Sequence, residues 1–278
     1  MVEEVAIIAG TGDLPLKVAG EVREKGHPIV AIAILGMTNP AIERVAQQTF
    51  WMKLGHLQKA ISLLKSRGVK RLVMAGKIEK SVLMRPWKIG LDRRALRMIW
   101  SLKDWRDDTV LKGIAAEFQM DGIVVDEITA WAAKLMAPRG VLTRRKPNQR
   151  EWKDIEFGRD MAREMGRLDV GQTVIIRNRA VIAVEAIEGT DRAIRRVADL
   201  DISDAVVVKM AKPHQDMRFD VPGIGPSTID SMVAARARVL AVEAGKTMIA
   251  DYEGAVEQAD RAKISIVGIL AEGPPEDG

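Results

Sequence analysis

Apolar residues fall along this chain in short, dense runs separated by glycine turns and by stretches with helical spacing. Val5–Ala9, Ile29–Ile34 and Arg71–Ala75 read as β-strands. Residues 14–25 and 60–66, with apolar positions three and four apart, read as helices closed by Gly26 and Gly68. Helical spacing also predicts helices over 40–47, 93–105, 108–119 and 129–135, with a further strand at 123–125. Strand–helix alternation through short turns predicts a parallel sheet wrapped by helices.

The stretch APRGVLTRRKPNQ (137–149) interrupts this pattern with two prolines, a glycine and polar residues, and reads as a hinge. Beyond it come a helix at 151–166 and a hairpin of Thr173–Arg177 and Ala180–Val184 turning at Asn178-Arg179. A helix over 191–200, a strand over 206–210, a helix over 227–235, a strand over 239–242, a helix over 252–263 and the strand Ser265–Ile269 follow. The expected architecture is α/β: an N-terminal Rossmann-like parallel-sheet lobe (1–137), a hinge (138–149), a C-terminal catalytic α/β lobe (150–272) and a frayed tail (273–278).

Composition narrows the chemistry. With 278 residues, 47% hydrophobic and 29% charged, the chain can build two cores and is not disordered. It has no cysteine, which excludes disulfides, thiolate metal sites and cysteine nucleophiles. The opening stretch lacks a basic region and a cleavage site, and no apolar run approaches membrane-span length, so a cytoplasmic location is expected. Charge is uneven: residues 65–106 carry 13 Lys/Arg against 3 Asp/Glu, although the whole chain is only +5. Such a patch suits phosphates, nucleic acid or an anionic membrane, and competes with a plain solvated face.

Six segments carry candidate chemistry. Gly10-Thr11-Gly12 turns a strand into a helix and exposes backbone N–H groups suited to a phosphate; Pro15 stands where a dinucleotide fingerprint needs its third glycine. Gly76 and Lys77 follow a strand, where ligands of open α/β sheets gather. Leu83, Met84, Trp87, Trp100 and Trp105 interleave with basic residues, which suits a membrane interface or single-stranded nucleic acid and competes equally with a packed core whose arginines are solvated. Thr143, Arg144 and Arg145 in the hinge could clamp an anionic substrate. Glu185, Glu188 and Asp191 form an oxygen-only cluster suited to Mg²⁺. The polar loop 209–228 holds Lys209, Lys212, His214, Gln215, Asp216, Arg218 and Asp220 ahead of a Pro/Gly segment. There, cations would neutralise a diphosphate, while Asp216 or Asp220 would hold Mg²⁺ or activate water. His27 sits in a turn and His56 before a helix, and neither is a good candidate.

AGTGDLP, VMAGK, GVLTRRKP, VEAIEGTD and KPHQDMRFDVPGIGP, in that order, resemble the LpxI family over nearly the whole chain. That resemblance implies hydrolysis of the diphosphate of UDP-2,3-diacylglucosamine to UMP and 2,3-diacylglucosamine 1-phosphate (lipid X) in lipid A biosynthesis. It also implies Mg²⁺ as cofactor and two lobes holding a lipid ligand. The family's essential aspartate maps to Asp220, with Asp216 as second choice, and His214 stands where many members carry glycine. Asp220, Glu185, Glu188 and Asp191 are the expected metal ligands. Gly10, Thr11, Gly12, Gly76, Lys77, Thr143, Arg144, Arg145, Lys209, Lys212, Gln215 and Arg218 are the expected substrate contacts. The lipid-linked nucleotide sugar is the expected partner, with peripheral contact at the inner membrane surface and a homo-oligomer as further expectations. Two readings compete. One is another nucleotide-sugar or dinucleotide-dependent enzyme. The other is a non-catalytic nucleic-acid-binding protein, which the acidic clusters count against; no nucleic-acid partner is expected.

Overall fold

The continuous apolar runs become strands covered on both faces, as parallel sheets require. The computed structural model describes residues 2–76, 78, 90–103 and 107–272. Lys77, Leu83, Met84, Trp87, Trp105 and the tail 273–278 lie outside the described residues. The chain divides into two compact units: Met1–Ala133 with Asp216–Phe219, and Lys134–Gln215 with Asp220–Gly278.

The first unit holds a five-stranded sheet, order β3-β2-β1-β4-β5, every neighbour pair parallel. The strands are β1 (Val5–Ala9), β2 (Ile29–Ile34), β3 (Gln48–Met52), β4 (Arg71–Ala75) and β5 (Val124–Asp126). Helices α1 (Leu14–Glu24), α2 (Leu57–Ser66), α3 (Arg93–Ser101), α4 (Asp107–Met120) and α5 (Ile128–Trp131) connect or follow them. The core gathers Ile32, Ile61, Leu64, Leu72 and Phe118, all 1% exposed or less. Where the sequence predicts one helix over 40–47, only a 3₁₀ turn forms (Pro40–Arg44), and the chain then adds β3 along β2.

The second unit holds a six-stranded mixed sheet, order β6-β13-β11-β9-β7-β8. The central strands β9 (Val206–Lys209), β11 (Val239–Glu243) and β13 (Ser265–Ile269) are parallel and wholly buried. The hairpin β7 (Thr173–Arg177) and β8 (Ala180–Val184) forms where expected. Asn178 and Arg179 both take positive φ, 51° and 57°, as its tight turn demands. Arginine is costly there. The buried Asp154 carboxylate offsets that cost by accepting from both turn N–H groups, at 3.0 and 2.6 Å. Asp154 lies on α6 (Gln149–Arg167), which starts with a capping box between Asn148 and Glu151. α6 approaches the sheet closely at Gly158, where a Cβ would fall 2.6 Å from Val208.

Residues 138–149, expected as a hinge, supply the short edge strand β6 (Gly140–Val141), antiparallel to β13. The two-residue strands β10 (Gly223–Ile224) and β12 (Met248–Ile249) pair separately. Helices α7 (Thr190–Arg196), α8 (Pro226–Ala234) and α9 (Tyr252–Arg261) complete this unit. Among the described residues, no helix is long and apolar enough to cross a membrane.

Candidate active site

Ligands of parallel sheets gather beyond the carboxyl ends of the strands, and each unit places candidate residues at such an end. In the first unit β1 and β4 lie side by side. The Gly10 N–H donates to the Ala75 carbonyl at 2.8 Å. Gly76, at φ +92°, comes so close to this turn that a Cβ would sit 2.7 Å from the Thr11 carbonyl oxygen and 2.9 Å from the Gly10 carbonyl carbon. The fold therefore brings Gly10, Thr11 and Gly76 together, with Gly12 (φ +85°) in the same turn. The buried Thr38 hydroxyl, which the sequence did not single out, donates to the Ala9 carbonyl and accepts from the Ile34 N–H, fastening the end of β1.

In the second unit, residues 185–191 and the loop 209–228 meet at one end of the sheet, because β8 and β9 run the same way. Glu185 and Lys209 point inward. Lys209, 3% exposed, donates from Nζ to Thr190 Oγ1 at 2.6 Å. Thr190 in turn donates to Glu185 Oε1 at 3.0 Å. The other Glu185 oxygen is buried without a hydrogen-bond partner. Glu188 is paired with Arg196 at 2.9 Å. Asp191 accepts from the Ser227 and Thr228 hydroxyls, both at 2.9 Å, and so ties α7 to the start of α8. Three of the four expected metal ligands thus make three separate sets of contacts. Among the described residues, no three His, Asp or Glu side chains converge on a point that could hold a metal ion.

The loop itself is built in steps. Its start is pinned by Glu243, which accepts from the Ala211 N–H at 2.9 Å, and by Lys212 Nζ on Asp169 at 2.6 Å. The Lys212 N–H donates to Gln215 Oε1 at 2.9 Å, which fixes the orientation of that amide. The Gln215 Nε2 then donates to Asp220 Oδ2 at 2.7 Å. Asp220 is exposed, and its Oδ1 has no hydrogen-bond partner among the described residues.

Asp216–Phe219 group with the first unit, where Phe219 packs on the core. Arg218 grips Asp216 with two parallel bonds, Nε to Oδ1 at 2.8 Å and Nη2 to Oδ2 at 2.7 Å. This pair, with Lys112 adding a smaller pull, holds the Asp216 carboxyl below the usual carboxylate range and pushes the Arg218 guanidinium up. Both Asp216 oxygens are committed, whereas Asp220 keeps one open.

Thr143, Arg144 and Arg145 are not brought to this end. β6 pairs antiparallel with β13, which leaves them beside Ser265, at the amino end of the parallel strands. Arg145 is spent on Glu151 (2.6 Å) and Ser265 (2.8 Å). Thr143 accepts from the Ile266 N–H at 3.0 Å. Arg144, 92% exposed, leans on Asp260.

Residues 4–135 match the family described as LpxI N-terminal domain, and residues 138–267 match LpxI C-terminal domain. A curated relative, the UDP-2,3-diacylglucosamine pyrophosphatase LpxI of Caulobacter vibrioides, is 30% identical over 280 residues, covering 96% of this chain and 97% of its own. Two solved structures match in part. The UDP-glucose-4-epimerase of Stenotrophomonas maltophila has 11% identity and a TM-score of 0.31, covering 44% of this chain and 34% of its own. The leucoanthocyanidin reductase of Vitis vinifera has 12% identity and a TM-score of 0.28, covering 54% and 41%. Scores that low support no argument about fold or chemistry.

Proposed function

From the premise that the chain belongs to the LpxI family, we propose that it hydrolyses the diphosphate of UDP-2,3-diacylglucosamine to UMP and 2,3-diacylglucosamine 1-phosphate. The observation that carries this reading is the end-to-end likeness to the Caulobacter vibrioides enzyme. Water adds to one phosphorus, the bond from that phosphorus to the bridging oxygen breaks, and the bridging oxygen leaves with the other phosphate. No covalent enzyme intermediate is needed, in keeping with a chain that has no cysteine and shows no nucleophile-elbow motif.

Asp220 is the residue assigned to the reacting phosphates. Its open oxygen can orient water or accept its proton, and Gln215 holds the other oxygen in place. Lys212 and Arg218 sit in the same segment, but each already meets a carboxylate. Any phosphate they bind would therefore compete with a protein partner. Gly10, Thr11 and Gly76 offer a backbone turn at a sheet end, a setting suited to the nucleotide's phosphates.

Mg²⁺ is part of the proposal in a narrower form than the sequence suggests. Glu188 and Asp191 have both oxygens held by protein partners, whereas Glu185, like Asp220, keeps one oxygen open. Asp220, solvent-exposed, fits as the ligand of an ion shared with substrate, because Mg²⁺ is commonly held by one or two carboxylates plus substrate phosphates. Bound there, the ion would neutralise charge on the phosphate oxygens.

The test is mass spectrometry of lipid extracted from purified Asp220→Ala protein, together with turnover of UDP-2,3-diacylglucosamine. Retained substrate in a folded, inactive variant supports the assignment. Full turnover by Asp220→Ala removes Asp220 from its role, and no turnover by the wild-type protein removes the reaction.

A further inference from the structure

α3 presents two faces with different fates. It begins at Asp92, whose carboxylate accepts from the Arg94 and Ala95 N–H groups. On the inner side, Ala95 and Met98 are buried, and Arg94 is drawn in by Glu117 and Asp121, each at 2.5 Å. Arg93, Leu96, Arg97 and Trp100 recur at steps of three and four residues and share the exposed face. Trp100 is 83% exposed and Leu96 36%.

A single exposed leucine needs no explanation. An indole left almost wholly in water, one turn from an exposed leucine and flanked by two exposed arginines, does. An indole has an apolar body and one N–H donor, which suits the level between lipid headgroups and acyl chains. Arginines at the same height suit anionic headgroup phosphates. The exposed Arg93 and Arg97 set the sign of the partner.

We propose that this face of α3 docks the first unit on an anionic phospholipid surface. Trp100 and Leu96 enter the interface, and Arg93 and Arg97 meet phosphates. A bilayer is favoured over single-stranded nucleic acid because, among its described residues, the face offers one aromatic ring beside an aliphatic side chain, and leucine provides no stacking platform for a second base. The inference does not depend on the assigned reaction, although a lipid-bearing substrate would be met at such a surface.

Co-sedimentation of the full chain with mixed phosphatidylcholine–phosphatidylglycerol vesicles tests it, with pure phosphatidylcholine vesicles as reference. The wild type binds the mixed vesicles, and the Arg93→Gln/Arg97→Gln variant binds them roughly thirtyfold less, each cation contributing about 1 kcal/mol. Brominated acyl chains quench part of the wild-type tryptophan fluorescence, and Trp100→Phe removes that part. Turnover of detergent-dispersed substrate is the same in all variants, so loss of fold is separated from loss of docking. Equal vesicle binding by wild type and the Trp100→Ser/Leu96→Ser variant overturns the proposal. So does a dimer in vesicle-free solution that dissociates on Trp100→Ser, or single-stranded RNA binding that the arginine variant loses while vesicle binding persists.

Discussion

The turn 185–191 holds three carboxylates and the stretch 215–220 two, yet Asp220 is used in the opposite way to Asp191. In the first, Lys209, Thr190 and Glu185 form a buried chain of hydrogen bonds, and Asp191 fastens two helices. In the second, one glutamine turned by a backbone N–H steadies an exposed aspartate and leaves one of its oxygens open. The difference is one of surroundings. Low polarity forces a buried charge to find partners, while a solvated loop can leave one available. Density of polar residues therefore marks both parts alike, and only burial separates them.

The sharpest way to break this comparison is to neutralise one carboxylate from each side. Asp220→Asn is expected to lower kcat by roughly 10²–10⁴-fold with the thermal midpoint unchanged, whereas Glu185→Gln shifts the midpoint and leaves kcat within about a few-fold of wild type. The reverse pattern would collapse the distinction. Next, Lys209→Met removes the donor to Thr190 and should cost about 1.5–3 kcal/mol in urea unfolding. Unchanged stability with a raised KM would mean that Lys209 reaches substrate after all.

A smaller effect sharpens the role of Gln215. Gln215→Glu can still accept from the Lys212 N–H but cannot donate to Asp220. Its kcat should fall by about tenfold at constant KM, the cost of about one such hydrogen bond, and the change should add nothing in an Asp220→Asn background. Purely structural damage would add in both backgrounds.

The smallest effect concerns pH. Arg218 lowers the Asp216 carboxyl from its ordinary value. Its contribution to stability is therefore complete above the unfolded carboxylate value near ~3.9 and is lost as pH falls through the lower folded value. Arg218→Gln should weaken the fold near neutral pH and flatten its acid dependence, by at most about 1 kcal/mol, in stability measured from pH 7 downwards. An unaltered acid profile would mean that the pair contributes nothing.

The strand interiors were readable because β1, β2, β9 and β13 are covered on both faces and leave unbroken apolar runs. β3 was not. QTFWM is an edge strand buried only at Met52, and it follows a stretch with helical spacing. β6, β10 and β12 are two residues long and carry no period to detect. The same limit governs the candidate residues. Glu151 as partner of Arg145 lies six residues away within a legible capping box, but Ser265, the other partner, is 120 residues distant. Nothing local says that Lys209 turns inward; that depends on helices supplied elsewhere in the chain.

The assignment of Asp216–Phe219 to the first unit has a consequence for how the protein comes into being. On the ribosome, the amino-terminal sheet emerges whole, but the phenylalanine that packs on its core follows roughly eighty residues later. At ~5–20 residues per second, that is a wait on the order of ten seconds. Nascent chains arrested before residue 216 should therefore carry an unfinished first unit, and a gene split after codon 133 should yield a fragment that folds fully only when peptide 216–219 is supplied.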